Sequence, residues 1–166
     1  MYKRQGSPLP KGKARAIALE ERGAEGNGMA TISAMVHTIS VSREGKVKLE
    51  RVDVAHETGF GLVNPLSVKK QIEGQITWFY NDAVHQASNV ADGRIVENNF
   101  NVFPISKMSE DPPEINIRFF PTQHWLLGMG HDRATSVQSA IGDAIFQVTG
   151  KRFRDLPYSK HDLRWS

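Results

Sequence analysis

Apolar and β-branched residues first concentrate in two neighbouring segments, 30–41 and 46–56, which are separated by Ser42-Arg43-Glu44-Gly45. Two such runs joined by a short polar turn that contains glycine are typical of a β-hairpin. We therefore predict a hairpin in which these two segments are the paired strands.

The apolar alternation of the second strand changes phase in its middle. Val47 and Leu49 occupy one phase, whereas Val52 and Val54 occupy the other. Because one extra residue shifts the side chains to the opposite face, this change predicts a β-bulge near residues 50–51. Burial of the strand on both faces is the alternative interpretation.

A long amphipathic helix is predicted to begin after Asn64. Asparagine is a good N-cap, and Pro65 suits the first helical position. Apolar residues then recur with helical spacing at Val68, Ile72, Ile76, Tyr80, Ala83 and Ala87.

A second helix is predicted near the end of the chain. Thr135 and Gln138 have the spacing of a capping box, and Gly150 suits the C-terminal cap. Its apolar stripe consists of Val137, Ala140, Ile141, Ala144, Ile145 and Val148.

The remaining segments have weaker patterns. Residues 14–24 are compatible with a strand or a short helix, and Asp92-Gly93 indicates a turn before a short strand at 94–96. Residues 98–106 are predicted to be extended. A further strand is predicted from the alternation of Ile115, Ile117 and Phe119.

Composition favours a folded α+β or α/β domain. The chain has 166 residues, 39% hydrophobic residues and no cysteine, which suits one domain and excludes disulfides and thiolate chemistry. No apolar run approaches the roughly 18 residues of a membrane span. The net charge of +3 is too small to indicate nucleic-acid binding by itself.

Nucleic-acid binding is a rival interpretation because cations and aromatic residues alternate within 151–166. Asp155 and Asp162 dilute this charge, so a basic surface tail is the preferred interpretation. The six histidines lack the i, i+4 helical spacing of zinc enzymes. No Gly-x-Ser-x-Gly elbow is present for hydrolase chemistry.

Two glycine-containing turns are candidate ligand sites. Gly59 and Gly61 precede the Asn64 cap, where helix N–H groups and the helix dipole favour an anion. Gly128 and Gly130 flank one residue directly before His131, and their small size would let the backbone approach a ligand closely.

Several short motifs occur in a recognisable order. They are Val52-Asp53-Val54, Gly59, Asn64-Pro65, Gln71-Ile72-Glu73-Gly74, Asp92-Gly93-Arg94, Asn99-Phe100, Met108, Pro113-Glu114-Ile115, Gly128-Met129-Gly130, Ala144-Ile145-Phe146, Thr149-Gly150-Lys151-Arg152 and Leu156-Pro157. In this order the chain resembles the C-terminal part of the molybdopterin-binding large subunit of the xanthine dehydrogenase and aldehyde oxidase family, in particular its isoquinoline 1-oxidoreductase β-subunit type.

The resemblance implies a partial, C-terminal portion of the α+β molybdopterin-binding domain, with a mixed sheet and packed helices. On this basis residues 6–157 belong to the domain. From their composition, residues 158–166 are interpreted as a surface tail and residues 1–5 as a non-native leader. The implied activity is oxidation of an aldehyde or an N-heterocycle. The chain alone would not carry it out.

The implied cofactor is a molybdenum-loaded molybdopterin, usually its cytosine dinucleotide form, with [2Fe-2S] clusters on a partner subunit. Further implied partners are the remainder of the large subunit and a small-molecule substrate, without nucleic acid. Cofactor contacts are implied for six residues: Gly59, Asn64, Gln71, Gly74, Gly128 and Gly130.

The sequence departs from the family at the position of its glutamate base, which is occupied here by His131. A neutral imidazole accepts a proton near pH 7, so a replacement base is chemically feasible. Two functions therefore stay open: an oxidoreductase that uses His131, and a cofactor-binding or assembly module without turnover. A second departure is Gln75, where the family has glycine, and one residue is inserted between Gly59 and Asn64.

Overall fold

A computed structural model describes residues 8–24, 29–110, 112, 114–123, 125 and 134–166. Its elements are β1 (Lys13–Ala24), β2 (Met29–Val41), β3 (Val47–Glu57), α1 (Pro65–Val84), β4 (Val90–Ala91), β5 (Arg94–Ile95), β6 (Glu114–Phe120), α2 (Ser136–Thr149) and a 3-10 turn at Tyr158–Lys160.

The main sheet has four strands in the order β1-β2-β3-β6. The first three strands are antiparallel neighbours, and β6 lies parallel to β3. A parallel neighbour requires a long crossover, which α1 and the β4-β5 ribbon provide. The predicted α+β class with a mixed sheet is therefore confirmed, and residues 14–24 belong to a strand.

The predicted hairpin and its bulge are both present. Thr38 pairs with Arg51 and the next residue, Ile39, pairs with Leu49, so Glu50 is the extra residue of β3. This insertion returns Leu49 and Val52 to the same side of the sheet, where both are fully buried.

The hydrophobic core lies between one face of the sheet and the two helices. α2 packs against β1 and β2, and α1 packs against α2. The sheet contributes Met35, Ile39, Leu49, Val52 and Val54, and the helices contribute Ile72, Ile76, Tyr80, Val137, Ile141, Ala144 and Ile145. The opposite sheet face exposes apolar side chains, including Ile17 and Leu19.

α1 begins as predicted. The Asn64 side chain accepts a hydrogen bond from the Ser67 backbone N–H at 3.1 Å, and Pro65 is the first helical residue. The helix ends at Val84, so Ala87 lies beyond it, and the His85 N–H closes the last turn on the Asn81 carbonyl. None of the described helices is both long and apolar enough to cross a membrane.

The prediction that a capping box begins α2 is wrong. Thr135 has helical backbone angles and makes no side-chain cap bond to the helix. Instead, the carboxylate of Glu20 on β1 accepts hydrogen bonds from the Ser136 N–H at 3.0 Å and from the Thr135 hydroxyl. Gly150 ends the helix with φ of 70°, as predicted.

Two further expectations are corrected by the fold. Residues 99–103 form a turn rather than extended chain, because the Asn99 carbonyl accepts from the N–H groups of Val102 and Phe103. The end of the chain is not a surface tail: Tyr158 and Leu163 are buried, and the Trp165 indole donates to the Val41 carbonyl at 3.0 Å.

Candidate functional site

The candidate site lies where the parallel strands β3 and β6 end and α1 begins. β3 ends at Glu57, β6 ends at Phe120, and α1 starts at Pro65. In sheets that contain parallel strands, ligands commonly bind beyond the carboxyl ends of those strands. The fold therefore places the Gly59 turn and the Asn64 cap at a favourable edge.

The turn at Gly59 adopts a backbone conformation that favours glycine, with φ of 67°. Its N–H donates to Glu57 Oε1 at 2.6 Å, and its carbonyl accepts from the Thr122 N–H at 2.7 Å. The Gly59 N–H is thus occupied by a carboxylate of the chain itself. Gly59 shapes the turn rather than offering its N–H to an anion.

Two aromatic side chains stand at the edge of this site. The rings of Phe60 and Trp125 meet edge to face, with centroids 5.5 Å apart and an angle of 82°. Their residues remain 58% and 70% exposed, which leaves a large apolar surface beside the Gly59 turn. Such a surface is suited to covering a ligand or another part of a larger protein.

One side of α1 faces away from the core and forms an outer strip, which we define as Asn64, Ser67, Gln71, Gly74 and Trp78. Spacings of three and four residues place these positions on one side of the helix. All five are exposed, and a Cβ at Gly74 would meet no atom within 4 Å. Three predicted site residues, Asn64, Gln71 and Gly74, therefore share one accessible surface.

Charges beside the outer strip are partly compensated, because two lysines share one carboxylate. Lys70 donates to Glu73 at 2.7 Å, and Lys69 lies 3.8 Å from the same carboxylate. The strip therefore presents mainly neutral hydrogen-bonding groups. The other predicted site residues, Gly128, Gly130 and His131, lie outside the described residues.

A concave surface lies elsewhere, on the open face of the sheet. Arg51 donates to Asp53 at 2.6 Å and to Glu114, and Asn116 donates to Glu114 at 3.0 Å. Hydrogen bonding to Asp53 raises the pKa of Arg51. Arg51, Asp53 and Glu114 are thus engaged with one another, so none of these three described side chains is offered as a free acid or base.

Sequence reasoning missed Glu57, which links the ends of both strands through Gly59 and Thr122. The available signal was an acidic residue at the end of a predicted strand, two positions before glycine. Two of the histidines are packed in the sheet: His37 is fully buried, and His56 Nδ1 is 2.6 Å from the Ser33 hydroxyl.

No protein-family profile matches the chain. It is 30% identical over 91% of its length to a membrane-bound aldehyde dehydrogenase [pyrroloquinoline-quinone] of Gluconacetobacter polyoxogenes, of which it covers 19%. It is 30% identical to a nicotinate dehydrogenase of Pseudomonas putida, over 81% of this chain and 11% of that protein. The β subunit of isoquinoline 1-oxidoreductase from Brevundimonas diminuta is also 30% identical, over 75% of this chain and 16% of that protein.

Solved structures show the same fold at lower identity. The aldehyde oxidoreductase of Desulfovibrio desulfuricans aligns with a TM-score of 0.67 and 21% identity, over 78% of this chain and 14% of that one. A Cu,Mo-CO dehydrogenase aligns with a TM-score of 0.61 and 18% identity, over 72% of this chain and 16% of that one. The chain spans less than a fifth of each of these proteins. Sequence relatives and fold agree, and the chain belongs to the large-subunit family of molybdenum hydroxylases, the xanthine dehydrogenase and aldehyde oxidase family.

Proposed function

We propose that this chain is part of a molybdopterin-binding large subunit that oxidises an aldehyde or an N-heterocycle. The observation that carries the proposal is the match of 75–91% of the chain to relatives whose names specify aldehyde, nicotinate and isoquinoline oxidation. Since the chain spans only 11–19% of those relatives, the remainder of the large subunit would supply most of the substrate channel. A [2Fe-2S] subunit would accept the electrons.

The outer strip of α1 fits a polar cofactor. Asn64 and Gln71 provide amide groups, and the uncovered backbone at Gly74 permits close approach. Neutral donors and acceptors suit the polar pterin ring system and its phosphate groups, whichever nucleotide form is bound. When bound, the cofactor would supply the redox centre, while the residues of this chain would bind and orient it.

His131 is proposed as the proton acceptor, because it occupies the sequence position of the family glutamate. The neutral imidazole has a free nitrogen lone pair near pH 7 and can take a proton from a reacting group within hydrogen-bond reach. The alternative function is a cofactor-binding or assembly module that lacks turnover.

Substitution of His131 in the purified enzyme that contains this chain distinguishes the two functions. We expect His131→Ala to lower kcat by about 100-fold or more, the usual contribution of a general base, without changing molybdenum content. The measurements are steady-state kinetics with aldehydes and N-heterocycles and metal analysis of the same samples. If wild type is inactive and only His131→Glu turns over, the non-catalytic module is the correct interpretation.

Substitution of Gly74 tests cofactor binding separately from turnover. Gly74→Gln should raise helix stability by about 0.5–1 kcal/mol, because glutamine is the better helix former. A side chain at this position would, however, obstruct the outer strip and lower the molybdenum and pterin content of the enzyme. Ser139→Gln, at an exposed position of α2, is the matched control. Full cofactor content in Gly74→Gln would contradict the proposed binding surface.

A further inference from the structure

Beyond the ends of β3 and β6, the chain segments that follow the two strands remain joined. The Thr58 N–H donates to the Phe120 carbonyl at 3.1 Å, and the Thr122 N–H donates to the Gly59 carbonyl at 2.7 Å. The two segments therefore leave the sheet together.

Glu57 strengthens this connection with a side chain. Its Oε1 atom accepts from the Gly59 N–H at 2.6 Å and from the Thr122 hydroxyl, so one carboxylate oxygen contacts both segments. The other oxygen, Oε2, is buried and has no hydrogen-bond partner among the described residues. A buried carboxylate oxygen without a partner is unfavourable, so the two bonds at Oε1 must retain the side chain here.

The connection continues along the chain to Trp125. Its ring packs against Phe60, which follows Gly59 directly. Trp125 lies three positions before Gly128 in the sequence. The segment after β6 is therefore held beside the Gly59 turn at both Thr122 and Trp125.

We propose that Glu57 is a positioning residue: it holds the segment after β6 against the Gly59 turn. The relevance to catalysis rests on the proposed function, in which that turn approaches the cofactor. The contact itself belongs to the chain and requires no ligand.

Hydrogen exchange of the purified protein that contains this chain, prepared without cofactor, tests the positioning role. Glu57→Leu removes both hydrogen bonds, and Thr122→Val removes one with little change of shape. We expect each to accelerate exchange about tenfold at the Gly59 and Thr122 amides. Glu57→Gln, whose amide oxygen can still accept both bonds, should stay within about threefold of wild type.

Glu44→Gln, in the exposed hairpin turn, is the matched control and should exchange like wild type. Wild-type exchange at the Gly59 and Thr122 amides in a folded Glu57→Leu protein would overturn the proposal. If Glu57→Leu does not fold, wild-type exchange at the Gly59 and Thr122 amides in Thr122→Val would overturn the proposal instead. The molybdenum content of variants with unchanged Tm is measured separately. Faster exchange together with full molybdenum loading supports the positioning role but contradicts the proposed contact between the Gly59 turn and the cofactor.

Discussion

His37 illustrates how a polar residue is accommodated inside this fold. It lies on β2 opposite Ala16 of β1 and Val52 of β3, and none of its surface is exposed. Neither ring nitrogen makes a hydrogen bond of normal geometry among the described residues, and the Ala16 backbone only weakly favours the charged form. Burial lowers its pKa from 6.5 to about 4, because a charged imidazolium would lose its hydration in the core.

This shift makes folding dependent on pH. Between pH 6.5 and about 4 the unfolded chain protonates His37 whereas the folded chain does not. The free energy of unfolding should therefore fall as pH is lowered through this window, by roughly 3 kcal/mol in all. Urea unfolding at pH 7 and 4.5 measures the effect.

His37→Met should remove this component of the pH dependence, because it fills the site with an apolar side chain. His161→Gln, at a partly exposed position near the end of the chain, is the control and should retain it. An unchanged pH dependence in His37→Met would show that other groups cause the acid destabilisation.

At the scale of single elements, the two helices begin in different ways. α1 is capped by Asn64, its immediate neighbour in sequence, whereas α2 receives the carboxylate of Glu20 from β1. The first cap can be predicted from a local pattern. The second exists only after β1 has packed beside α2.

We predict that Glu20→Ala lowers the free energy of unfolding by about 1 kcal/mol, the usual cost of losing a helix cap. The reason is that the Ser136 N–H and the Thr135 hydroxyl lose their acceptor. Thermal or urea denaturation monitored by circular dichroism measures the change.

Glu21→Ala, the next residue on β1 and an exposed one, is the matched control and should change stability by less than about 0.5 kcal/mol. Equal effects of the two substitutions would show that Glu20 does not act as the cap.

At the scale of the whole molecule, the end of the chain closes the edge of the core near the hairpin. Leu163 is 3% exposed, and the backbone at Leu163 and Arg164 packs against Gly45 in the hairpin turn. Trp165 also contacts Lys11, whose ammonium lies 5.4 Å from the ring centroid. The final residues therefore pack against the hairpin turn and against the segment that precedes β1.

Leu163→Ala should destabilise the protein by about 2–4 kcal/mol, because it removes a buried side chain and leaves a cavity. Arg164→Ala, at the neighbouring exposed position, loses the ion pair with Asp162. Apart from that loss, it should lower the free energy of unfolding by less than about 0.5 kcal/mol. Equilibrium unfolding of both variants provides the comparison. Two equally small effects would favour the surface tail that the sequence predicts.

Local sequence patterns were sufficient for much of the fold. The Asn64-Pro65 start of α1 and the Gly150 end of α2 depend on residues within a turn or two of the helix. The hairpin and its bulge at Glu50 follow from alternation and turn composition within one pair of strands. For the site, the same local logic correctly placed Asn64 at the helix start, and helical spacing puts Gln71 and Gly74 on the same side.

Only the tertiary structure decided the contacts between distant segments. Glu20 reaches Ser136, Glu57 reaches Thr122, and Trp165 reaches Val41, across sequence separations of 116, 65 and 124 residues. The sequence by itself determined the hairpin, the start of α1 and the end of α2, because backbone propensities and periodicity act over a few residues. It could not determine which distant donor meets which acceptor, because that choice depends on the order of strands in the sheet and on which face the helices cover.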